Sequence, residues 1–354
     1  MKIGKLPENI YKRSVLKVLK YKRKEIISGA GIGNNCAVFS PVKEDVVTSM
    51  AFMAGKADQI APDVVHRAVN QIAASGAEPV AVTGVLLLTE ETSEEELKIV
   101  VRQIEKTCEE IGIQAAGLDV SVIPETRNSR IDNLMLTITC IGKCSGSDDI
   151  FGTDKCTVTG KIKVKNLPPD QKTWGGYAKP EQDVVLTKWV GLEGTYLIAR
   201  EKEDELRKRF SAEYIDEARG FDRYLSIIPE AATAMESGVG TMHNVSEGGI
   251  FGALWEMAER SGVGLEIELK KIPIRQETVE ICNYFDINPY ALLSTGCLLM
   301  TADNGYGLVE SLHKEGISAA VIGRTTDSND RLIINEEEKR FLTPAQQDEY
   351  FKLV

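Results

Sequence analysis

The stretch PDVVHRAVNQIAASGAEPVAVTGVLLL, residues 62–88, reads as a helix, a stop and a strand, and that order decides the fold class. Pro62 suits the first helical position, where its missing N–H costs nothing, and Asp63 complements the positive end of the helix dipole. Val65, Ala68, Val69 and Ile72 recur at helical spacing, which predicts a helix over 62–75 with one apolar face. Gly76-Ala77-Glu78-Pro79 stops it, and Val80–Leu88, with Val82, Val85, Leu86, Leu87 and Leu88, reads as a strongly apolar strand.

Working outward, the next helix opens at Thr92 or Ser93, with Glu95 and Glu96 placed to close a capping box. Its expected buried stripe is Leu97, Val100, Val101, Ile104, Cys108 and Ile111, and Gly112 ends it. Residues 113–117 and 134–141 follow as strands. On the other side, Ser28–Phe39 carries Gly29, Gly31 and Gly33. These do not make a dinucleotide fingerprint, because Ala37–Phe39 reads as strand where a helix is required. The glycines instead form a loop feeding Val38-Phe39, with Val46-Val47-Thr48 as partner strand. The series strand–helix–strand–helix–strand–strand predicts a layered α/β sandwich.

Residues 143–182 change character, rich in Gly, Pro, Lys and Asp and poor in Leu, with a hairpin-like piece around Gly160. We therefore expect a first domain over 1–145, a junction with an inserted segment over 146–182, and a second α/β domain over 183–354. The second restarts at Asp183–Thr187. Helices are expected near 195–200, through a long charged stretch 201–218, and at 227–236, 250–260, 275–284 and 307–314. Strands are expected at 264–269, 297–301 and 318–322.

The chain has 354 residues, with 42 Lys+Arg against 53 Asp+Glu, a net charge of −11, and 43% hydrophobic residues. Such a length suits two domains, since single cores stop growing near ~250–300 residues. An acidic chain makes a poor polyanion clamp, which argues against nucleic acid or an anionic membrane as partner. Seven cysteines without a CxxC read as reduced core thiols, and three scattered histidines argue against a His-rich metal site. The charged N-terminus lacks an apolar signal core and no stretch is long enough to span a membrane, so a cytoplasmic protein is expected.

Three local phrases carry candidate chemistry: Asn70–Pro79, Gly191-Leu192-Glu193-Gly194-Thr195, and His243-Asn244-Val245-Ser246-Glu247-Gly248-Gly249. A Gly-Gly pair opening a helix either offers free N–H groups to an anion or marks a tight loop where only glycine fits. His243 has no second histidine near it in sequence and reads as structural. The basic stretch 1–25 is either a solvated helix or a phosphate-facing arm, with Lys5 as the candidate.

In order and wording these phrases resemble the aminoimidazole-ribonucleotide-synthase-like (AIR synthase-related) superfamily, nearest its hydrogenase-maturation branch. The resemblance runs from Gly4-Lys5-Leu6 to the last strand, outside 143–182. Val263–Ile267, Ile272-Pro273-Ile274 and Leu293–Leu299 are similar to that branch's second-domain phrases. It implies two α/β domains, the first pairing with its twin in a barrel at a homodimer interface. ATP with Mg2+ would lie between the domains and phosphorylate or activate an amide or carbonyl oxygen of a small-molecule or protein substrate. Carried onto this chain, the nucleotide-binding positions are Lys5, Asn34, Asn35, Asn70, Gln71, Ser246, Gly248 and Gly249, and the metal position is Asp119.

The chain departs from the family pattern where acids are expected. The Gly-Glu/Asp-Asp-Ala-Ala loop stands as Gly33-Asn34-Asn35-Cys36-Ala37, the Ser-Thr-Asp phrase as Thr48-Ser49-Met50-Ala51, and Asn-Asp-Leu-Ala as Asn70-Gln71-Ile72-Ala73. The Gly-Gly-Asp/His-Thr phrase stands as Gly117-Leu118-Asp119-Val120, and His-Asp as His243-Asn244. Asn and Gln bring no charge, so Mg-triphosphate should be held weakly or not at all. The branch's acceptor cysteine also has no counterpart after Cys297. Three readings stay open: an ATP-using enzyme, a non-catalytic homodimeric binding protein, and an enzyme that replaces magnesium with Lys5 and other cations.

Overall fold

The computed structural model describes Glu8 and residues 26–28, 37–39, 46–89, 91–122, 134–143, 176–344 and 347–353. Lys5, Asn34, Asn35 and nearly all of the expected insert lie outside the described residues. The first sheet is built from β1 (Ile26–Ser28), β2 (Ala37–Phe39), β3 (Val46–Gly55), β4 (Glu78–Leu88), β5 (Gln114–Val122) and β6 (Leu134–Lys143). Their order is β1-β2-β3-β6-β4-β5, and among them only β4 and β5 pair in parallel. β3 and β5 run well past their expected ends. Thr48–Ala51 lies inside β3, and Asp119 lies inside β5.

Helix α1 (Ile60–Ala74) starts two residues before Pro62 and packs on one face of this sheet. Ile60, Val64, Val65, Val69 and Ile72 are fully buried there, at about 1.5–3 kcal/mol for each such side chain removed from water. The helix comes so close that a Cβ on Gly142 of β6 would lie 2.4 Å from Ile72 Cγ2. Ser49 Oγ donates to the Ala68 carbonyl at 2.7 Å, which marks its face of β3 as the covered one. Helix α2 (Glu94–Glu110) lies beside α1 and opens on the expected capping box, with Ser93 as the cap. Ser93 N donates to Glu96 Oε2 at 2.8 Å, and Glu96 N to Ser93 Oγ at 3.2 Å. Val100, Ile104 and Cys108 are buried as expected, whereas Val101, one helical step round, is 41% exposed.

The second sheet contains β7 (Asp183–Thr187), β8 (Thr241–Val245), β9 (Gly264–Glu268), β10 (Cys297–Ala302), β11 (Ala319–Thr326), β12 (Arg331–Asn335) and β13 (Glu338–Phe341), in the order β13-β12-β9-β11-β7-β10-β8. Its central strands are covered on both sides. Val184, Leu186, Cys297 and Leu299 enter one core, and Val185, Leu298 and Met300 enter the other. The helices are α3 (Leu192–Glu201), α4 (Ala212–Arg219), α5 (Ile228–Glu236), α6 (Gly249–Ser261), α7 (Gln276–Phe285) and α8 (Gly305–Lys314). Ala73 and Ala74, at the end of α1, join the second of these cores with α5 and α8, so the first layer is keyed into the second sheet.

Two expectations give way here. The charged stretch 201–218 is not one helix. α3 ends at Glu201, a single turn covers Glu203–Leu206, and α4 restarts where Ser211 Oγ accepts from Tyr214 N at 3.3 Å. Strands β8, β12 and β13 were not foreseen. β8 is buried on both faces, so it shows no alternation. The β12–β13 turn carries Glu336 at φ 58°, without the glycine or asparagine that announces such turns. Cys108, Cys282 and Cys297 are free and buried, in line with core thiols, and Cys140 is buried as well. No helix among the described residues is long and apolar enough to cross a membrane.

Candidate functional site

Helix α1 has a second face. Positions 63, 67 and 70 stand one turn apart, which places their side chains on one side of the helix, and in this fold that side meets the second half. Asp63 Oδ2 accepts from Arg200 at 3.0 Å, Arg67 Nε donates to Glu193 Oε1 at 2.7 Å, and the Asn70 carboxamide donates to Leu225 O at 2.7 Å and accepts from Ile227 N at 3.1 Å. Arg200 also donates to Tyr196 Oη at 2.5 Å. Two acids and two arginines thus meet across the halves, with Glu193 completely buried in the first turn of α3. One oxygen of each acid, Asp63 Oδ1 and Glu193 Oε2, has no hydrogen-bond partner among the described residues. Burial pushes the Asp63 carboxyl up to about 6; Arg200 opposes the rise and Glu193 adds to it. Burial pushes the neighbouring His66 imidazole down to about 4, and Lys188 adds to the fall.

α1 also packs against β8, whose end runs into the glycine phrase, and Arg67 lies in the field of Glu247. Gly248 and Gly249 sit at φ 86° and 59°. A Cβ on Gly249 would lie 2.6 Å from the Tyr290 carbonyl and 2.8 Å from Leu292 N, so this is a tight loop that only glycine fits. Gly248 N donates to Asp348 Oδ2 at 2.6 Å. Asp348 Oδ1 accepts from Leu293 N at 3.2 Å and Tyr350 N at 2.9 Å. Burial pushes the Asp348 carboxyl up to about 7, the three N–H groups oppose this, and Glu247 adds to it. Tyr350 Oη donates to Glu201 Oε2 at 2.5 Å. His243 Nε2 lies 3.2 Å from Glu256 Oε2 inside the second half. A cavity of about 660 Å³ opens between the halves, lined by His66, Gln103 and Lys106 on one side and Arg223, Ser226 and Ile228 on the other.

The residues expected from sequence therefore distribute as follows. Asn70 is fully buried and its carboxamide is committed to the 225–227 loop; Gln71 follows it, half-buried. Ser246, Gly248 and Gly249 form one loop, with Ser246 O accepting from Gly249 N at 3.1 Å. Asp119 is not in this group. It continues the row Phe52–Thr137–Val85–Asp119 across the first sheet, on the face opposite α1. Sequence reading missed Asp63, Arg67, Glu193, Arg200 and Asp348 as a connected set. The one available signal was the 63/67/70 spacing of polar residues on a helix that otherwise reads as core. Among the described residues no group of three or more His, Cys, Asp or Glu could hold a divalent ion.

A model of the AIR synthase related protein, N-terminal domain matches residues 33–144, and one of the C-terminal domain matches 179–335. Carbamoyl dehydratase HypE of Rhodobacter capsulatus is 24% identical over 283 residues, covering 79% of this chain and 72% of the relative. The structure of ThiL complexed with AMPPCP and TMP superposes with a TM-score of 0.67 at 15% identity, over 98% of this chain and 99% of that one. Hydrogenase maturation protein HypE in complex with ATP superposes at 0.65 and 17% identity, over 98% and 97%.

Proposed function

The chain belongs to the AIR synthase related family, and from that premise we propose that it is an ATP-binding protein of the hydrogenase-maturation-like branch. In this reading ATP activates an amide or carbonyl oxygen of a small-molecule or protein substrate. That oxygen attacks the γ-phosphorus, the bond to the β-phosphate oxygen breaks and ADP leaves, and an amide gives up its N–H proton to solvent as the O-phosphoryl imidate forms. The observation that carries the reading is the match of both family domains, in order, to a fold that superposes over nearly its whole length on relatives crystallised with ATP or AMPPCP. Positioning and charge neutralisation are the work left to the protein. The nucleotide-facing set is Lys5, Asn34 and Asn35 with Gln71, Ser246, Gly248 and Gly249, while Asn70 acts through the loop it holds. Among the described residues no cluster of three or more His, Cys, Asp or Glu would hold magnesium, and Lys5 is the proposed counter-charge. Isothermal titration with ATP, with and without magnesium, together with phosphate release, tests this. Micromolar binding in at least one condition is expected; no heat in either condition overturns it.

We also propose a homodimer through the open face of the first sheet. Met50 and Phe52 are 67% and 69% exposed there, and Val85, two strands on past Thr137, is 41% exposed. Exposed apolar side chains grouped on one face mark an interaction surface.

A further inference from the structure

One buried carboxylate gathers three backbone N–H groups that are distant in sequence. Gly248 N comes from the glycine loop, Leu293 N from the segment before β10, and Tyr350 N from Asp348's own turn, Glu349–Lys352. Asp348 is 1% exposed. A charge-assisted acceptor of this kind is among the stronger hydrogen-bonding groups, and removing it leaves orphaned donors. Two outer contacts hold the same turn down: Tyr350 Oη on Glu201, and Glu349 Oε2 accepting from Asn288 N at 3.2 Å. We propose that the turn Asp348–Lys352 is a strap that fixes the Ser246–Gly249 and Asn288–Ser294 loops to each other, so that lifting it frees both loops together while the sheet stays intact.

Three features support a device rather than ordinary packing. The direct bond between the two loops, from Ser294 N to Ser246 O, is long at 3.4 Å, which leaves the Asp348 carboxylate as the shorter link between them. The strands behind the loops, β8 and β10, are buried along their whole length and give the strap a rigid base. The carboxylate is buried, and burial makes its anionic form costly to keep there, which the three N–H groups offset. The strap extends the nucleotide reading above and in that respect rests on it: Gly248 N–H cannot serve Asp348 and a phosphate at once, so an anion at this loop must displace the strap.

Hydrogen–deuterium exchange of the full chain tests it, comparing wild type with Asp348→Asn and Tyr350→Phe. Asp348→Asn should speed exchange by about tenfold or more in peptides covering 246–250 and 288–294 together, with β8 and β10 peptides unchanged. Tyr350→Phe should give a smaller rise in the same two loops, and it carries the test alone if Asp348→Asn does not fold. A rise confined to 347–353, or a uniform rise that includes β8 and β10, overturns the strap. ATP titration of the same variants is read separately. Coupled loop release with no ATP binding in any variant upholds the strap and counts against the nucleotide reading.

Discussion

At Arg67 a single guanidinium neutralises Glu193, a carboxylate with no exposed surface, from the other half of the chain. Removing one partner of a buried pair leaves the other charge stranded. Arg67→Ala should therefore cost roughly 3–5 kcal/mol, toward the lower end because the Arg67 side chain keeps a fifth of its surface in solvent. Urea unfolding measures this, and adding Glu193→Gln should recover part of the loss; equal losses in the single and double variants would refute the coupling. Three buried groups contribute to the acid branch of stability, and their signs differ. Asp63 and Asp348 have folded pKa values raised from 3.8 to about 6 and about 7. Their contributions are fully present below 3.8 and are lost as pH rises through those values. His66 has its pKa lowered from 6.5 to about 4, so its contribution is present above 6.5 and is lost as pH falls toward 4. The opposing slopes overlap between these limits. Asp63→Asn should remove one falling contribution, so stability measured from pH 4 to 6.5 should decline less, or rise more, than in wild type.

Helix α2 is an element that could be read before folding. Ser93-x-x-Glu96 in front of an apolar stripe is a local signal, and the cap forms as read. Ser93→Ala should cost about 1 kcal/mol, seen as a lower unfolding midpoint. Helix α1 shows the limit of such reading. Its apolar spacing told where the first sheet would be, but not that 63, 67 and 70 would face a second body. That assignment depends on where residues 193, 200 and 225–227 arrive. The fit of α1 on the sheet depends on Gly142, where a methyl group would collide with Ile72. Gly142→Ala should destabilise by about 1–3 kcal/mol through overpacking. β8 was illegible because both its faces are covered, and Met242-His243-Asn244 carries polar groups into the interior.

For the whole molecule, the first sheet has α1 and α2 on one side and an open row that exposes Phe52 and Val85 on the other, while the central strands of the second sheet are covered on both sides. If the open row is the homodimer contact, Phe52→Glu should yield a monomer by sedimentation velocity with an unchanged circular dichroism spectrum. A dimer that survives the substitution would rule that face out. Side-chain periodicity is a short-range property, so the sequence by itself determined the alternation of helices and strands, the layered α/β class and the glycine loop that opens α6. The charged contact between the halves, and the filling of Gly248 N–H by a carboxylate 100 residues further on, were decided only by tertiary structure. Pairings between residues far apart in the chain leave no local period, and a buried donor takes whichever acceptor the packing brings to it.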